Sequence, residues 1–264
     1  MDAAAAAPVD DPAGTLLALD FDGTLAHIVD DPAEAFAHSE SVAALGRLGR
    51  VLGAVTIITG RPVAQALELG GFADVPGLER LTIHGQYGAE HWDAAQGHAE
   101  PALRPSDIES LQNRLPQLLR DHGAEAARIE DKVLALAVHT RGLGDGVADR
   151  LQAPLRALAD ELGLCFEPGR QVLELRAAGT DKGVALRRAV AGSGVRMVVF
   201  AGDDLGDLPA FDAVDAMRAN GIRGLLVCSA SEEQDALVAR ADVVLDGPDE
   251  IAAWLTAWAD ALGA

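Results

Sequence analysis

Four short segments of the chain carry side chains able to do chemistry. In Leu17-Ala-Leu-Asp20-Phe-Asp22-Gly23-Thr24-Leu25 an apolar run ends in two aspartates, a glycine and a threonine. The reference pKa of an aspartate is about 3.9, so Asp20 is expected to be ionised at pH 7. Such a carboxylate can attack phosphorus without a general base, provided a metal neutralises both it and the phosphate. Gly23 allows a tight turn whose amides can face phosphate oxygens. In Ile57-Ile58-Thr59-Gly60-Arg61-Pro62 a second apolar run ends in a hydroxyl residue and a glycine. There the Thr59 hydroxyl and a backbone N–H can hold a phosphoryl oxygen. Thr180-Asp181-Lys182-Gly183 sets a lysine in the first turn of a predicted helix. The helix dipole disfavours a cation there, which points to an anionic partner. Phe200-Ala201-Gly202-Asp203-Asp204-Leu205-Gly206-Asp207 ends a third run in three clustered acids. Unpaired, these raise one another's pKa values, and a hard dication relieves the repulsion.

Each segment taken singly has a plainer reading: an Asp-Gly turn, a threonine cap, a solvent-facing lysine, a solvated acidic loop. Together they supply a carboxylate nucleophile, a hydroxyl, a cation and a metal-binding acid cluster. Those are the parts for phosphoryl transfer through an aspartyl phosphate.

The elements that must position them alternate. Apolar runs at Leu16–Phe21, Ala54–Thr59, Leu81–His84, Arg196–Gly202, Gly224–Ser229 and Asp242–Asp246 suit strands buried on both faces of a parallel sheet. Helical stripes lie between them at Val42, Leu45, Leu48 and Leu52, and at Val184, Leu186, Ala189 and Val190. The second stripe opens near Thr180 or Asp181 and closes near Gly192. A C-terminal helix carries Ile251, Trp254, Leu255, Trp258 and Leu262. This alternation predicts a doubly wound α/β core at 1–103 and 178–264, with ligands at the carboxyl ends of its strands.

Residues 104–177 read as a smaller inserted α+β domain. Ser106 and Glu109 form a candidate capping box for a helix bearing Ile108, Leu111, Leu115, Leu118 and Leu119, with Pro116 expected to kink it. Lys132–Arg141 reads as one strand, Val147 to Leu162 as a helix, and Gln171–Arg176 as a further strand.

Lys plus Arg total 21 and Asp plus Glu 41, a formal charge of −20, which argues against nucleic acid or an anionic membrane as partner. Cys165 and Cys228 are too few for a disulfide framework and fit a reducing cytosol. Residues 1–14 lack the basic and apolar regions of a signal peptide and read as a disordered lead. No apolar run approaches the ~20 residues of a membrane span. A cytoplasmic monomer is expected. The chain has no HExxH, GxSxG or GxxxxGK[ST] motif. Of the histidines, His84 ends a core strand and is a candidate cleft residue. His139 is expected to pack beside a strand of the insertion, and His91 and His98 to lie at the surface.

The set DFDGTL, TGR, Lys182 and GDDLGD resembles the haloacid dehalogenase superfamily of phosphohydrolases. More closely, the chain is similar to trehalose-6-phosphate phosphatases through LDFDGTLAHIVDDP, HGQYGAE, IEDKVLALAVHTR, LELRAAGTDKG and AGDDLGDLPAFDA. Many relatives read GDDxTDE in the last motif; here Gly206 and Leu208 replace the Thr and Glu beside Asp207. The resemblance implies a Rossmann-like core with a mobile cap that closes over the site. It implies Mg²⁺ held by Asp20, the Asp22 backbone carbonyl and Asp203, with Asp204 and Asp207 nearby. Asp20 would be the nucleophile and Asp22 the acid, then base, a carboxyl that carries a proton for part of the cycle. Thr59 and Lys182, with Arg61 and Gly23 beside them, would bind the phosphoryl group. Glu130 and Lys132, two apart on one predicted strand, share a face, and with Glu174 and Glu167 would meet sugar hydroxyls. Without the family likeness, Glu130 and Lys132 also fit a surface ion pair. The implied reaction is hydrolysis of trehalose 6-phosphate to trehalose and phosphate. The rivals are another sugar phosphate such as sucrose 6-phosphate or mannosyl-phosphoglycerate, a phosphomutase, and a silent sugar-phosphate-binding protein.

Overall fold

The computed structural model describes residues 9–100, 104–144, 146–169, 171–230 and 235–264, the side chains of 98–100 and 235 excepted. The chain forms two compact units, Met1–Glu100 with Asp181–Ala264, and Pro101–Thr180. The expected limits of the insertion, 104 and 177, each fall three residues inside these. Of the expected disordered lead, residues 1–8 lie outside the described residues. The rest is ordered: Pro12–Gly14 makes a 3₁₀ turn whose Gly14 N–H donates to the Asp11 carboxylate, and Gly14 is buried.

The first unit is built on strands β1 (Thr15–Leu19), β2 (Ala54–Ile58), β3 (Thr82–Gly85), β4 (Glu90–Asp93) and β5 (His98–Glu100) before the insertion. After the insertion and its four strands come β10 (Met197–Gly202), β11 (Arg223–Ser229) and β12 (Val243–Leu245). The sheet order is β12-β11-β10-β1-β2-β3-β4-β5. It is parallel from β12 to β3 and antiparallel at β4 and β5. β4 and β5 do not stand out in the sequence, because Glu90–Asp93 and His98–Glu100 are polar edge segments.

Alternation along β1 shows why the central strands read as unbroken apolar runs. Leu17 and Leu19 face one layer, formed with helices α1 (Ser39–Gly49), α2 (Val63–Gly70) and α8 (Gly247–Leu262). Leu16 and Ala18 face the other, where Leu186 and Phe211 come from α5 (Lys182–Val190) and α6 (Leu208–Ala219). The short helix α7 (Asp235–Val238) contributes Leu237 to that second layer. The motif residues follow the last strand residues: Asp20 after β1, Thr59 after β2, Asp203 after β10.

The second unit is an antiparallel sheet in the order β6-β7-β9-β8, with β6 (Arg128–Asp131), β7 (Ala135–His139), β8 (Leu164–Gly169) and β9 (Val172–Ala177). Leu136, Val138, Leu173 and Leu175 pack on Ile108, Leu111, Leu115 and Leu119 of α3 (Ser106–Asp121), and on Leu151, Leu155 and Leu158 of α4 (Val147–Leu162). Two expectations need correction. The strand expected at Lys132–Arg141 covers only Ala135–His139, and it is the second arm of a hairpin with β6, whose turn carries Val133 at φ +66 and returns a Lys132 N–H to the Ala135 carbonyl. The capping box is not formed: Pro105 is the N-cap of α3, with no side-chain hydrogen bond. α3 runs on through Pro116. Among the described residues, no helix is long and apolar enough to cross a membrane.

Each unit thus has its own apolar core. Leu155→Ala, which opens a fully buried position in the second unit, is expected to cost about 2–5 kcal/mol in a urea titration.

Candidate active site

The ends of β1, β2 and β10 and the start of α5 bring together one buried polar cluster. Lys182, the first residue of α5, sends its Nζ to Asp20 Oδ1 and to Asp207 Oδ1, both at 2.8 Å. It is only 4% exposed. Its helix begins there because Asp181 caps it, accepting the Val184 N–H at 2.7 Å. The anion that offsets the unfavourable dipole position is therefore a pair of the chain's own carboxylates. Asp207 Oδ2 accepts the Asp203 and Asp204 N–H groups at 2.9 and 3.2 Å. A Cβ on Gly202 would overlap the Asp207 carboxyl, so only glycine admits this close approach. Asp204 caps the following turn and is itself exposed. Gly206 donates its N–H to Asp204, and Leu208 begins α6 half-buried, so these replacements sit beside the cluster without adding a charge to it.

Asp20, Asp203 and Asp207 offer oxygens all within 4.8 Å of one another. If all three carboxyl groups were ionised, one ammonium would leave two negative charges without a counterion. Burial pushes Asp20 well above the usual carboxylate range; Lys182 pulls it down, while Asp207 and Asp204 push it further up. Burial, with Asp20, Asp207 and Asp204, pushes Asp203 up to about 10. Burial also raises Asp207, against Lys182. Burial disfavours the charge on Lys182, but Asp20 and Asp207 outweigh it and hold the amine charged. The free-aspartate value therefore does not describe Asp20: dehydration removes what keeps the isolated side chain ionised. Asp203 Oδ1 is buried with no hydrogen-bond partner among the described residues. A dehydrated, all-oxygen donor set whose acids a positive charge would ionise fits a hard dication such as Mg²⁺.

Arg61 stands differently from expectation. It makes a bidentate pair with Asp22, Nε to Oδ2 at 2.7 Å and Nη2 to Oδ1 at 2.5 Å. Nη1 donates to the Pro32 carbonyl at 2.8 Å, and the guanidinium lies 5.5 Å from the Phe21 ring centroid. The side chain is committed to Asp22, whose two oxygens are both occupied. Thr59 is fully buried, and its Oγ1 accepts the Arg61 N–H at 3.1 Å.

His84 is buried at the end of β3, beside His91 with ring centroids 4.8 Å apart. The surface position expected for His91 is incorrect: it is half-buried and cross-strand paired with His84. The side chain of His98 lies outside the described residues. Glu90, unremarked in the sequence beyond its motif, caps α2 by accepting the Val63 N–H at 2.6 Å and also holds Gln86 at 3.0 Å. Its signal is a lone acid two residues past a glycine, too weak to read without the fold.

Glu130, Lys132 and Glu174 lie in the second unit. Ladder register sets Glu130, Ala137, Glu174 and Glu167 side by side across the four strands. Glu130 pairs with His139 Nε2 at 2.7 Å, Glu174 with Lys132 Nζ at 2.7 Å, and Glu167 with Arg176 Nε at 3.0 Å. Lys132 follows β6 in the hairpin turn, so it does not share a strand with Glu130 as expected. Partial burial raises Glu130, but the His139 hydrogen bond and nearby Lys132 outweigh it and hold the carboxyl below its ordinary range. His139 thus serves a carboxylate rather than merely packing.

The sequence profile of one family, trehalose-phosphatase, matches residues 18–242. This chain belongs to the trehalose-phosphatase family. Among its relatives, the trehalose-phosphate phosphatase of Mycobacterium avium is 30% identical over 254 residues, covering 92% of this chain and 61% of that protein. An uncharacterized glycosyl hydrolase of Mycobacterium tuberculosis is 36% identical over 207 residues, 74% of this chain but 15% of that protein. The chain thus spans less than two thirds of the length of these relatives. The trehalose-phosphatase fold is shared with the C-terminal domain of the Candida albicans trehalose-6-phosphate phosphatase, at a TM-score of 0.74 and 19% identity over 93% of this chain and 92% of that one. Haloacid dehalogenase-like hydrolases share it too.

Burial, with His91 and Arg188 nearby, pushes His84 down to about 4. The folded state then binds this proton less well than the unfolded chain, whose histidine titrates near 6.5. Stability is expected to fall by up to about 3 kcal/mol as pH drops from about 6.5 to about 4. His84→Asn should flatten that part of the curve of urea midpoint against pH.

Proposed function

We propose that the chain is a Mg²⁺-dependent phosphatase that hydrolyses trehalose 6-phosphate to trehalose and phosphate. The observation that carries this reading is the Lys182 bridge between Asp20 and Asp207, beside the unpartnered oxygen of Asp203, in a trehalose-phosphatase chain. The printed names of relatives such as the Mycobacterium avium protein support the substrate.

In this reading Asp20 attacks phosphorus with the oxygen that Lys182 does not hold. The bond from phosphorus to the sugar oxygen breaks, and that oxygen takes a proton from Asp22. Water then attacks the aspartyl phosphate and gives its proton to Asp22. Phosphate leaves and the Asp20 carboxylate is restored. Thr59 and Lys182 bind the phosphoryl oxygens, whereas the Gly23 N–H expected to join them is committed to the Ala26 carbonyl. Lys182 also keeps Asp20 oriented, and Asp207 in turn orients Lys182. Arg61 occupies both oxygens of Asp22, so Asp22 exchanges protons only when that pair opens. Arg61 is accordingly a positioning residue for Asp22 rather than a phosphate ligand. Asp20, the Asp22 backbone carbonyl and Asp203 would hold Mg²⁺, with Asp204 nearby. When bound, it supplies the positive charge that keeps Asp20 ionised and masks the phosphate. Glu130, Lys132 and Glu174 are assigned to sugar hydroxyls, with their carboxylates preset by His139 and Lys132. His84 is left as a structural residue.

Inorganic phosphate release from a panel of sugar phosphates tests the assignment. Trehalose 6-phosphate with Mg²⁺ is expected to exceed sucrose 6-phosphate and mannosyl-phosphoglycerate, and EDTA to stop the reaction. A product that keeps its phosphate would indicate a mutase instead. Asp20→Asn should lose at least about a thousandfold in kcat while unfolding normally, since the nucleophile is gone; turnover near the wild-type rate would remove Asp20 from the mechanism. Lys132→Ala should raise KM for trehalose 6-phosphate about tenfold and leave p-nitrophenyl phosphate hydrolysis within about twofold. Equal losses on both substrates would count against a sugar-reading role.

A further inference from the structure

Ser229 lies outside the four chemical segments and has no part in the mechanism above. It ends β11 at a buried position, 1% exposed, and its Oγ donates to the Gly23 carbonyl at 2.6 Å. The two residues are 206 apart in sequence. Sheet order explains how they meet. β10 lies between β11 and β1. Gly202 is level with Cys228, and Ala201 with Leu19. Asp203, one residue past β10, is therefore flanked by Ser229 on one side and by the loop after β1 on the other. Gly23, at φ +74, passes so close that a Cβ there would overlap the Asp203 carboxylate. Its N–H is committed within its own loop, donating to the Ala26 carbonyl at 2.7 Å. Its carbonyl is held by Ser229. The loop is thus pinned through both backbone polar groups of Gly23 while it arches over the acid whose Oδ1 has no partner among the described residues.

We propose that Ser229 is a positioning residue: its hydroxyl ties the loop after β1 across Asp203 and so sets the spacing of Asp20, the Asp22 backbone and Asp203 as cation ligands. This rests on the Mg²⁺ reading above. Ligands held by fixed neighbours bind a metal more tightly than ligands that must be gathered. Without the hydroxyl, the Gly23 carbonyl is a buried acceptor lacking its donor, and the loop relaxes to find another.

The test compares wild type, Ser229→Ala and Ser229→Cys, each titrated with Mg²⁺ alone while the melting temperature is followed, and then assayed on p-nitrophenyl phosphate at saturating Mg²⁺. Ser229→Ala is expected to need about five- to tenfold more Mg²⁺ for half of the thermal shift, the equivalent of one lost hydrogen bond. Its kcat should fall by a similar factor with KM within about twofold. A folded Ser229→Ala with the wild-type Mg²⁺ midpoint and kcat overturns the positioning role alone. A wild type whose melting ignores Mg²⁺ overturns the cation reading and this proposal with it. If Ser229→Ala does not fold, Ser229→Cys, which keeps the size but donates weakly, is read by the same criteria. Failure of both to fold would make the hydroxyl a structural anchor instead.

Discussion

One ammonium group shared between two buried carboxylates organises the first unit. Lys182 is almost fully dehydrated, and so are Asp20 and Asp207. A buried charge is tolerated only when paired and hydrogen-bonded, so each member requires the others in place. That requirement reaches outward. Asp181 must cap α5 to bring Lys182 to the sheet, and Gly202 must lack a side chain for Asp207 to fold back beneath the β10 end. Burial first, and then the neighbouring carboxylates, drive the acids of the cluster toward their protonated forms, and a dication answers both.

A second layer of contacts restrains what the first leaves free. Arg61 fixes Asp22, and Arg61 is itself held through the Pro32 carbonyl and the Phe21 ring. The turn at Gln86 and Tyr87 adopts positive φ at both residues and is stitched to the Thr59 and Arg61 carbonyls by their N–H groups. Non-glycine residues rarely adopt that conformation unless their surroundings demand it. Here the demand comes from the loop after β2, which presents Thr59 and Arg61 together.

The second unit follows a different logic. One face of its sheet is apolar and covered by α3 and α4. On the other, three glutamates stand in one rung with Ala137 between two of them. Each is hydrogen-bonded by a basic side chain, His139, Lys132 or Arg176, so the carboxylates are preset rather than free to swing. The small side chain of Ala137 leaves room for the Lys132–Glu174 pair to reach across the central strand. Such a face offers many fixed acceptors and donors, the chemistry that polyhydroxylated molecules require.

Local pattern marks the strands buried on both faces, the helices with clear apolar stripes, and the residue types at the strand ends. A central strand must be continuously apolar, so β1, β2, β10 and β11 announce themselves, and polar residues ending such runs mark the ligand side of an α/β sheet. Polar edge strands such as β4 and β5, and the turn that ends β6 between Glu130 and Lys132, lack that constraint and do not stand out in the sequence. Partnership was decided by the tertiary structure alone. Arg61 could face phosphate or a carboxylate, Asp20 could be hydrated or dry, and Ser229 could be any strand-end hydroxyl. Which of these holds depends on groups brought together from distant parts of the chain and on how much water they exclude, neither of which is written in local pattern.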